Sequence, residues 1–183
     1  MKYIIKEVNK DNMDEYVELN AKVWQESYRG IIDDEFLDDI DNHVDDLIVR
    51  KRKNFIIDKK NKVFRYILYL DKRPIGIYSI DKSREQKYPN SGELRTLYLL
   101  KKHQGNGYGR LMLEKCIMKL INLGYHDMLV HCICGSTSNK FYQHLGGRLI
   151  GKSKIKIGKQ ELFENIYYFT NIDNLLDYIY LYE

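Results

Sequence analysis

Cysteine and proline are scarce in this chain, whose 183 residues include three cysteines and two prolines. Cys132 and Cys134 are two positions apart, so on a strand they would share a face and be poorly placed to bridge each other. A disulfide framework is therefore not expected, and the few thiols fit a reducing compartment. The scarcity of proline, together with 16 tyrosines, predicts an ordered fold rich in β-sheet.

Long apolar runs and a dense basic patch are also missing from the sequence. No stretch reaches the roughly 20 apolar residues that span a membrane, and residues 1–7 lack the apolar segment of a signal peptide. The net charge of +4 is small and dispersed, which disfavours nucleic-acid binding although it would help to attract an anionic ligand. We therefore expect a cytoplasmic protein with neither a membrane nor a nucleic-acid partner.

The order of helical and strand periodicities predicts one α/β domain over residues 1–183. The predicted strands are residues 2–8, 63–70, 75–80, 93–100, 128–133 and the two arms of a hairpin within 148–170. The predicted helices begin after Asn12, at 33, at 43 (ending near 53), after a glycine-rich turn, at 136 and near 173. This order predicts a mixed sheet.

A glycine-rich turn, residues 104–110, joins a predicted strand to a predicted helix. Its three glycines allow the backbone to approach a ligand closely, and the helix N-terminus that follows attracts anions. A phosphate-loop ATPase would need Gly-Lys-Ser/Thr where this chain has Gly109, Arg110 and Leu111, and the glycine spacing does not fit a Rossmann turn. The three glycines alone do not distinguish an anion-binding turn from a simple loop.

Four motifs in the same order resemble the GNAT superfamily of N-acetyltransferases. They are Val23–Gly30, Gly92–Leu99, Gln104-x-x-Gly107-x-Gly109 and the run Phe-Tyr-Gln-His-Leu-Gly-Gly at 141–147. The resemblance extends over nearly the whole chain in element order. It implies the acyl-CoA N-acyltransferase fold, which has a mixed, mostly antiparallel central sheet flanked by helices. It also implies acetyl-CoA as cosubstrate and a primary amine as acetyl acceptor.

By this resemblance, two segments and two further residues would bind coenzyme A. The turn would hold the pyrophosphate through Gln104, Gly105, Asn106, Gly107, Tyr108, Gly109 and Arg110. The strand residues Leu97, Tyr98 and Leu99 would line the pantetheine arm, which in the superfamily lies where a bulge splays two strands, and the Leu99 N–H would polarise the thioester carbonyl. Relatives often carry an asparagine where this chain has Gly135 or Ser136, so both Ser136 and Asn139 are candidates for that contact.

The resemblance also assigns the proton transfers. Glu93 stands where many relatives place the general base, which would draw a proton from the acceptor amine, often through a water molecule. Tyr142 matches the general acid that protonates the thiolate of coenzyme A. The structural alternative for Glu93 is a salt-bridged or surface glutamate. The structural alternative for Tyr142 is an aromatic ring packed on the sheet.

The acceptor would lie near Trp24, Tyr28 and Arg29, which match the first helix and loop of the superfamily. A core tryptophan is the alternative for Trp24. Eight acidic residues between Asp33 and Asp46 would attract a cationic acceptor, or they form a solvated helix face: Asp33, Asp34, Glu35, Asp38, Asp39, Asp41, Asp45 and Asp46.

A metal site and a covalent intermediate are both unexpected. His131 and Cys132 would point to opposite faces of a strand and no second pair of ligands follows, so core cysteines are favoured over a metal. We expect direct attack by a primary amine on acetyl-CoA in a ternary complex, with a small acceptor. The alternatives are acetylation of a protein N-terminus or lysine, and a non-catalytic acyl-CoA-binding module. The final hairpin and the tail rich in Tyr and Leu suggest a homodimer as a further hypothesis.

Overall fold

The computed structural model describes residues 2–181, without the side chains of Asp41 and Lys59. The helices are α1 Met13–Tyr28, α2 Asp34–Asn42, α3 Val44–Lys60, α4 Tyr108–Asn122, α5 Ser138–His144 and α6 Ile172–Leu181. The strands are β1 Tyr3–Glu7, β2 Phe64–Leu70, β3 Arg73–Lys82, β4 Gly92–Leu99, β5 Met128–Ile133, β6 Arg148–Ile157 and β7 Gln160–Phe169. A short 3₁₀ helix, Lys101–His103, follows β4.

The strands form one sheet in the order β1-β2-β3-β4-β5-β7-β6. β4 and β5 are parallel, whereas β1 with β2, β5 with β7, and β6 with β7 are antiparallel. The predicted fold class, a mixed and mostly antiparallel sheet flanked by helices, is therefore confirmed. Every helix within residues 2–181 is too short or too polar to cross a membrane.

The boundaries of most elements agree with the predicted ones, and α3 is the clearest exception. The helix continues to Lys60, seven residues beyond the predicted end at 53, and its continuation places Phe55 against the core. It ends where Lys62 adopts a left-handed φ of 59°. No glycine or proline marks the predicted end, so the sequence offered no stop signal there.

Contacts divide the chain into two compact units. Unit 1 consists of the chain up to Ser79 together with Thr96–Met112, and unit 2 of Ile80–Arg95 together with the chain from Leu113 onward. The core of unit 1 is built mainly by α1, β2 and β3, with Val23, Ile67 and Ile77 completely buried, and α3 contributes Ile48. The core of unit 2 packs the apolar face of α4 and the strand β5, both of which are almost fully buried.

Candidate active site

The glycine-rich turn in unit 1 is open on the side where a ligand would approach. Gly105 and Gly107 have left-handed φ values of +76° and +79°, which favour glycine over other residues. A Cβ atom built at Gly105, Gly107 or Gly109 would meet no atom within 4 Å. The first N–H of α4 to close a helical bond is that of Leu111, which donates to Gly107 at 3.0 Å. The backbone and the helix N-terminus thus leave open space of the kind that an anionic group needs, and the contact with a pyrophosphate remains a prediction.

The amide side chains of this turn stabilise its shape. The Gln104 side chain donates to the carbonyl of Leu99 at 3.1 Å. The Asn106 side chain donates to the carbonyls of Gln104 at 3.0 Å and His103 at 3.3 Å. The Glu26 carboxylate accepts the N–H of Lys101 at 2.7 Å and so attaches α1 to the start of the turn. The role of these amides as cofactor ligands remains a prediction.

An aromatic cluster in unit 1 joins three of the predicted site residues. Tyr28 lies edge-on to Trp24, with ring centroids 5.2 Å apart, and edge-on to Tyr98 at 6.1 Å. The hydroxyls of Tyr28 and Tyr98 are hydrogen-bonded at 2.9 Å. Trp24 is half-buried and Tyr28 buried, so the cluster both supports the core and leaves part of the indole accessible. The structure therefore brings together a predicted acceptor wall and a predicted cofactor strand.

Arg29 is held by acidic residues of the following helix. Its guanidinium contacts Asp34 at 3.1 Å and also pairs with Asp38. Hydrogen bonds to Asp38 and then Asp34 raise the pKa of Arg29 above its ordinary value, so the group stays charged. The side chain of Asp41, one of the eight acidic residues between Asp33 and Asp46, lies outside the described residues. Arg29 is thus neutralised at the position where the resemblance places acceptor contacts.

The ladder between β4 and β5 covers only the first three residues of β4. Gly92, Glu93 and Leu94 pair with Met128, Leu129 and Val130. The residues predicted to line the pantetheine arm, 97–99, lie beyond this ladder and are half-buried. This early end of the ladder agrees with the splayed strands that the resemblance implied.

Glu93 is completely buried in unit 2, at 0% exposure. One carboxylate oxygen, Oε2, accepts the backbone N–H of Arg84 at 2.9 Å. The other, Oε1, lies 3.0 Å from Nε of Arg84 and 3.5 Å from Nη1 of Arg95. Neither N–H is well aligned, so Oε1 has no hydrogen-bond partner within residues 2–181 despite these short distances. The carboxylate therefore lies beside two guanidinium groups, and its Oε1 is left without a hydrogen-bond donor among the described residues.

Glu93 belongs to a polar layer that we define as Arg84, Glu85, Glu93, Arg95, His131 and Glu164. Sheet register places its members together, because Glu93 pairs with Leu129, two residues before His131, and Glu164 pairs with Ile133, two residues after it. Nδ1 of His131 lies 3.5 Å from Glu164 and Nε2 lies 3.4 Å from Glu85. The imidazole is only 2% exposed, and its Nε2 is the second buried atom in the described chain without a hydrogen-bond partner.

The pKa of Glu164 reports the electrostatics of this layer. Burial raises that pKa, but the hydrogen bond from His131 and the charge of Arg84 outweigh burial, so the pKa lies below its ordinary value of 4.5. The guanidinium of Arg84 reaches Glu164 at 3.7 Å as well as Glu93 at 3.0 Å. Arg84 thus links the two buried carboxylates.

Tyr142 and Asn139 meet around Tyr167 in unit 2. The Tyr142 and Tyr167 rings are 6.0 Å apart, and the Tyr167 hydroxyl donates to Oδ1 of Asn139 at 3.0 Å. Asn165 also donates to Oδ1, at 2.8 Å, while the Asn139 amide donates to the carbonyls of Ile133 and Ser136 at 2.9 and 2.8 Å. All four hydrogen-bonding positions of Asn139 are therefore used to fix α5 to β5 and β7.

Ser136 lies just before α5 instead of inside it. Its hydroxyl accepts the N–H of Ser138, the first residue of the helix, at 3.3 Å. Of the two candidates for the asparagine position, Ser136 thus makes the weaker local contacts and Asn139 the stronger ones. Which of them contacts coenzyme A stays a prediction.

Cys116 and Cys132 are protonated thiols, because burial raises the pKa of Cys132 to about 12 and also raises that of Cys116 strongly. Protonated thiols are poor nucleophiles. Within residues 2–181, no three His, Cys, Asp or Glu side chains come together as metal ligands.

Sequence reasoning missed Arg84, Glu85 and Glu164 as partners of Glu93 and His131. The detectable signal was Glu164 inside the predicted strand run Leu-Phe-Glu-Asn-Ile-Tyr-Tyr-Phe, where a charge that becomes buried has to be paired. Arg84 and Glu85 lie in the loop between β3 and β4, and no periodicity connects them to β5 or β7.

Comparison with known proteins identifies the family. The model of the Acetyltransferase (GNAT) family matches residues 13–147, and the chain therefore belongs to that family. A similar protein is the uncharacterized N-acetyltransferase YuaI of Bacillus subtilis, 24% identical over 164 residues, which cover 87% of this chain and 88% of YuaI.

Solved structures share the fold at low identity. PaiA N-acetyltransferase of Thermoplasma acidophilum in complex with coenzyme A has a TM-score of 0.70 at 15% identity, covering 92% of this chain and 98% of that one. A mutant of the spermidine N-acetyltransferase SpeG of Vibrio cholerae has a TM-score of 0.69 at 16% identity, covering 97% and 98%. The putative acetyltransferase yncA of Salmonella typhimurium with acetyl-CoA has a TM-score of 0.62 at 16% identity, covering 93% and 94%.

Proposed function

We propose that this protein transfers the acetyl group of acetyl-CoA to a primary amine by direct attack in a ternary complex, as one N-acetyltransferase domain. The observation that carries the proposal is the glycine-rich turn before α4, whose three glycines face open space in a chain of the GNAT family. The coenzyme A and acetyl-CoA complexes of two structural neighbours support the choice of cosubstrate.

The reaction needs two proton transfers and one oxyanion site. The amine nitrogen attacks the thioester carbonyl carbon while the amine loses a proton to a base. The tetrahedral oxyanion collapses, the C–S bond breaks, and the coenzyme A thiolate takes a proton from an acid. We assign the oxyanion contact to the N–H of Leu99 and the acid to Tyr142.

We assign the base to Glu93, acting through water. The carboxylate is completely buried and lies beside Arg84, so an acceptor amine has no direct path to it. A water molecule would take the proton from the acceptor amine and pass it to Oε1 of Glu93, which has no hydrogen-bond partner within residues 2–181. The protonated thiols of Cys116 and Cys132 support the absence of a covalent acetyl-enzyme.

The test is release of coenzyme A thiol from acetyl-CoA across a panel of polyamines, aminoglycosides, amino acids and short peptides. One structural neighbour is a spermidine N-acetyltransferase, so spermidine heads the panel. We expect amine-dependent release that falls by about 10²- to 10⁴-fold in Tyr142→Phe, because the thiolate loses its proton donor. Tyr3→Phe, at an exposed tyrosine of β1, is the matched control and should retain activity.

The alternatives correspond to different outcomes of the same panel. Turnover of peptides alone would favour a protein N-terminus or lysine as acceptor. Binding of acetyl-CoA without turnover of any amine would favour a non-catalytic acyl-CoA-binding module. If acetyl-CoA does not bind at all, the proposal is wrong.

A further inference from the structure

The outward side of α3 carries three large apolar side chains that are exposed to solvent. Ile56 is 70% exposed, Ile57 57% and Val49 50%. Val49 lies two helical turns before Ile56, and Ile57 adjoins Ile56, so the three lie on one side of the helix. The other side packs Ile48 and Phe55 against the core. Single exposed apolar residues are common, but three on one side of a helix are typical of an interaction surface.

The charges around α3 change sign along the chain. Residues 33–46 contain eight acidic residues and no lysine or arginine, whereas residues 50–62 contain seven lysines and arginines and one acidic residue, Asp58. Asp58 is already paired with Arg65 at 2.9 Å. An acidic N-terminal end and a basic C-terminal end suit the dipole of the helix. The dipole does not explain, however, why isoleucines are exposed between the two ends.

One charge at each end of α3 has no partner within the described residues. Asp45 and Lys60 are exposed, and neither makes an ion pair or a side-chain hydrogen bond in that part of the chain. By contrast, Arg52 contacts Asp14 at 2.6 Å. We define the outer stripe of α3 as Asp45, Val49, Ile56, Ile57 and Lys60. Along the helix the stripe therefore presents an acid, an apolar surface and a base, in that order.

A second copy of the chain matches this stripe when the two α3 helices run antiparallel. A two-fold axis near the middle of α3, just before Lys53, would bring Asp45 of one copy opposite Lys60 of the other. The same register brings Val49 of one copy opposite Ile56 of the other, because both pairs are centred on the same point. The helix has 17 residues, which makes it about 26 Å long. A symmetric contact along it uses each pair twice.

The centre of this contact carries two basic residues, and both can be accommodated. Arg52 is held towards α1 by its two hydrogen bonds to Asp14. Lys53 can keep its ammonium group in water while its methylene groups cover apolar surface. The contact thus combines apolar burial with two pairs of opposite charges, and such complementarity gives an interface its specificity.

We propose that the outer stripe of α3 binds a second copy of this chain, giving a two-fold symmetric dimer in which the two α3 helices pack antiparallel. An anionic membrane surface or an acidic protein would match only the basic end of the stripe and would be repelled by the acidic end. The sequence suggests a homodimer through the final hairpin and tail, whereas the stripe is a different surface and belongs to unit 1. The proposal goes beyond acetyl transfer and does not depend on it.

The test is sedimentation velocity of the full chain over a wide range of protein concentration. We expect wild-type protein to dimerise. Asp45→Lys and Lys60→Glu should each weaken the dimer by roughly tenfold or more, because each substitution brings like charges together twice per dimer. Ile56→Gln should weaken it by a similar factor without a change of charge, because two apolar contacts are lost. Thermal unfolding of each variant checks that it is folded.

An equal mixture of Asp45→Lys and Lys60→Glu separates a lost contact from a lost fold. In a mixed dimer, position 45 of the first variant faces position 60 of the second with both charges reversed, and the other pair keeps its native charges. We therefore expect the mixture to dimerise at a concentration at which neither variant does so alone. The matched control is Glu18→Lys with Lys22→Glu, at exposed positions on α1, which should dimerise like wild type both separately and mixed.

Three outcomes would overturn the proposal. Wild-type protein that stays monomeric at every concentration would show that the stripe does not bind a second copy. A dimer that survives all three substitutions in α3 would place the contact elsewhere, such as at the final hairpin and tail. A mixture that stays monomeric would show that the charges at the two ends of α3 do not face each other.

Discussion

Three exposed cations of unit 1, Lys22, Arg73 and Lys102, and the polar layer of unit 2 contain the same kinds of side chain in opposite states. Within residues 2–181, Arg73 and Lys102 have no carboxylate partner. In the layer, Arg84 contacts both Glu93 and Glu164, and Glu93 is excluded from solvent. The exposed cations thus remain hydrated, whereas cations in the layer stabilise buried carboxylates.

The difference follows from burial. A buried carboxylate loses several kcal/mol of hydration unless a cation and hydrogen bonds replace water, so its partners are structurally obligatory. An exposed cation keeps its hydration and needs no partner within the protein. Removing a charge should therefore lower stability in the layer and change it little among the exposed cations.

The largest expected effect comes from a matched pair of arginine substitutions. Arg84→Gln should lower the free energy of unfolding by about 2 kcal/mol, because the buried Glu93 carboxylate loses its nearest cation. Arg73→Gln should change it by no more than about 0.5 kcal/mol, because that side chain is exposed and unpaired. Urea titration of both variants gives the comparison. Equal destabilisation by the two substitutions would mean that Arg73 has a structural partner and that the contrast between the regions is false.

The next effect appears only at acid pH and concerns Glu164. Its folded pKa is lowered, so its carboxylate contributes stability above the unfolded pKa, near 4.5, and that contribution is lost as the pH falls through the folded value. Wild-type protein should therefore lose stability more steeply than Glu164→Gln below about pH 4.5. The free energy of unfolding measured from pH 6 to pH 3, a range of roughly three units around that pKa, checks this. Parallel curves for the two proteins would show that the carboxylate has no net favourable partners.

The smallest effect on stability is expected at Gly109, the second residue of α4. An added Cβ meets no atom within 4 Å, and alanine favours helix more than glycine by roughly 1 kcal/mol, so Gly109→Ala should be neutral or slightly stabilising. Acetyl-CoA affinity should nevertheless fall, because the methyl group occupies the space into which the pyrophosphate would fit. Asn122→Ala, at the other end of α4, is the control and should leave affinity unchanged. Unaltered affinity in Gly109→Ala would place the cofactor elsewhere.

Much of the fold could be predicted because local patterns carried it. β5 was predicted at 128–133 and is observed at Met128–Ile133, since its apolar run has clear polar boundaries. α4 ends shortly before Gly124, and the φ of +87° at Gly124 together with the bond from the Tyr125 N–H to Leu120 at 3.0 Å shows why glycine stands there. The end of α3 was not predicted, because Phe55 continues the helix through a tertiary contact that leaves no local signal.

The candidate site could be predicted only as a set of positions. The motifs located the glycine-rich turn, Glu93 and Tyr142, but they did not indicate that Asn139 uses its whole amide on β5, β7 and the segment before α5. They also did not indicate that Tyr28 and Tyr98, 70 residues apart, share a hydrogen bond. Such contacts depend on which elements become neighbours, and spacing along the chain does not contain that information.

The sequence by itself determined the order of the elements, the family, and the positions of the turn and the candidate catalytic residues, because these depend on local periodicity and on short motifs. Only the tertiary structure decided the charge environment. Glu93 is buried beside Arg84 because β4 lies next to β5 in the sheet and a loop covers the polar layer, whereas Lys22, Arg73 and Lys102 remain exposed on three separate elements. Desolvation and charge pairing act through space, so side chains of identical type acquire different roles only once the chain has folded.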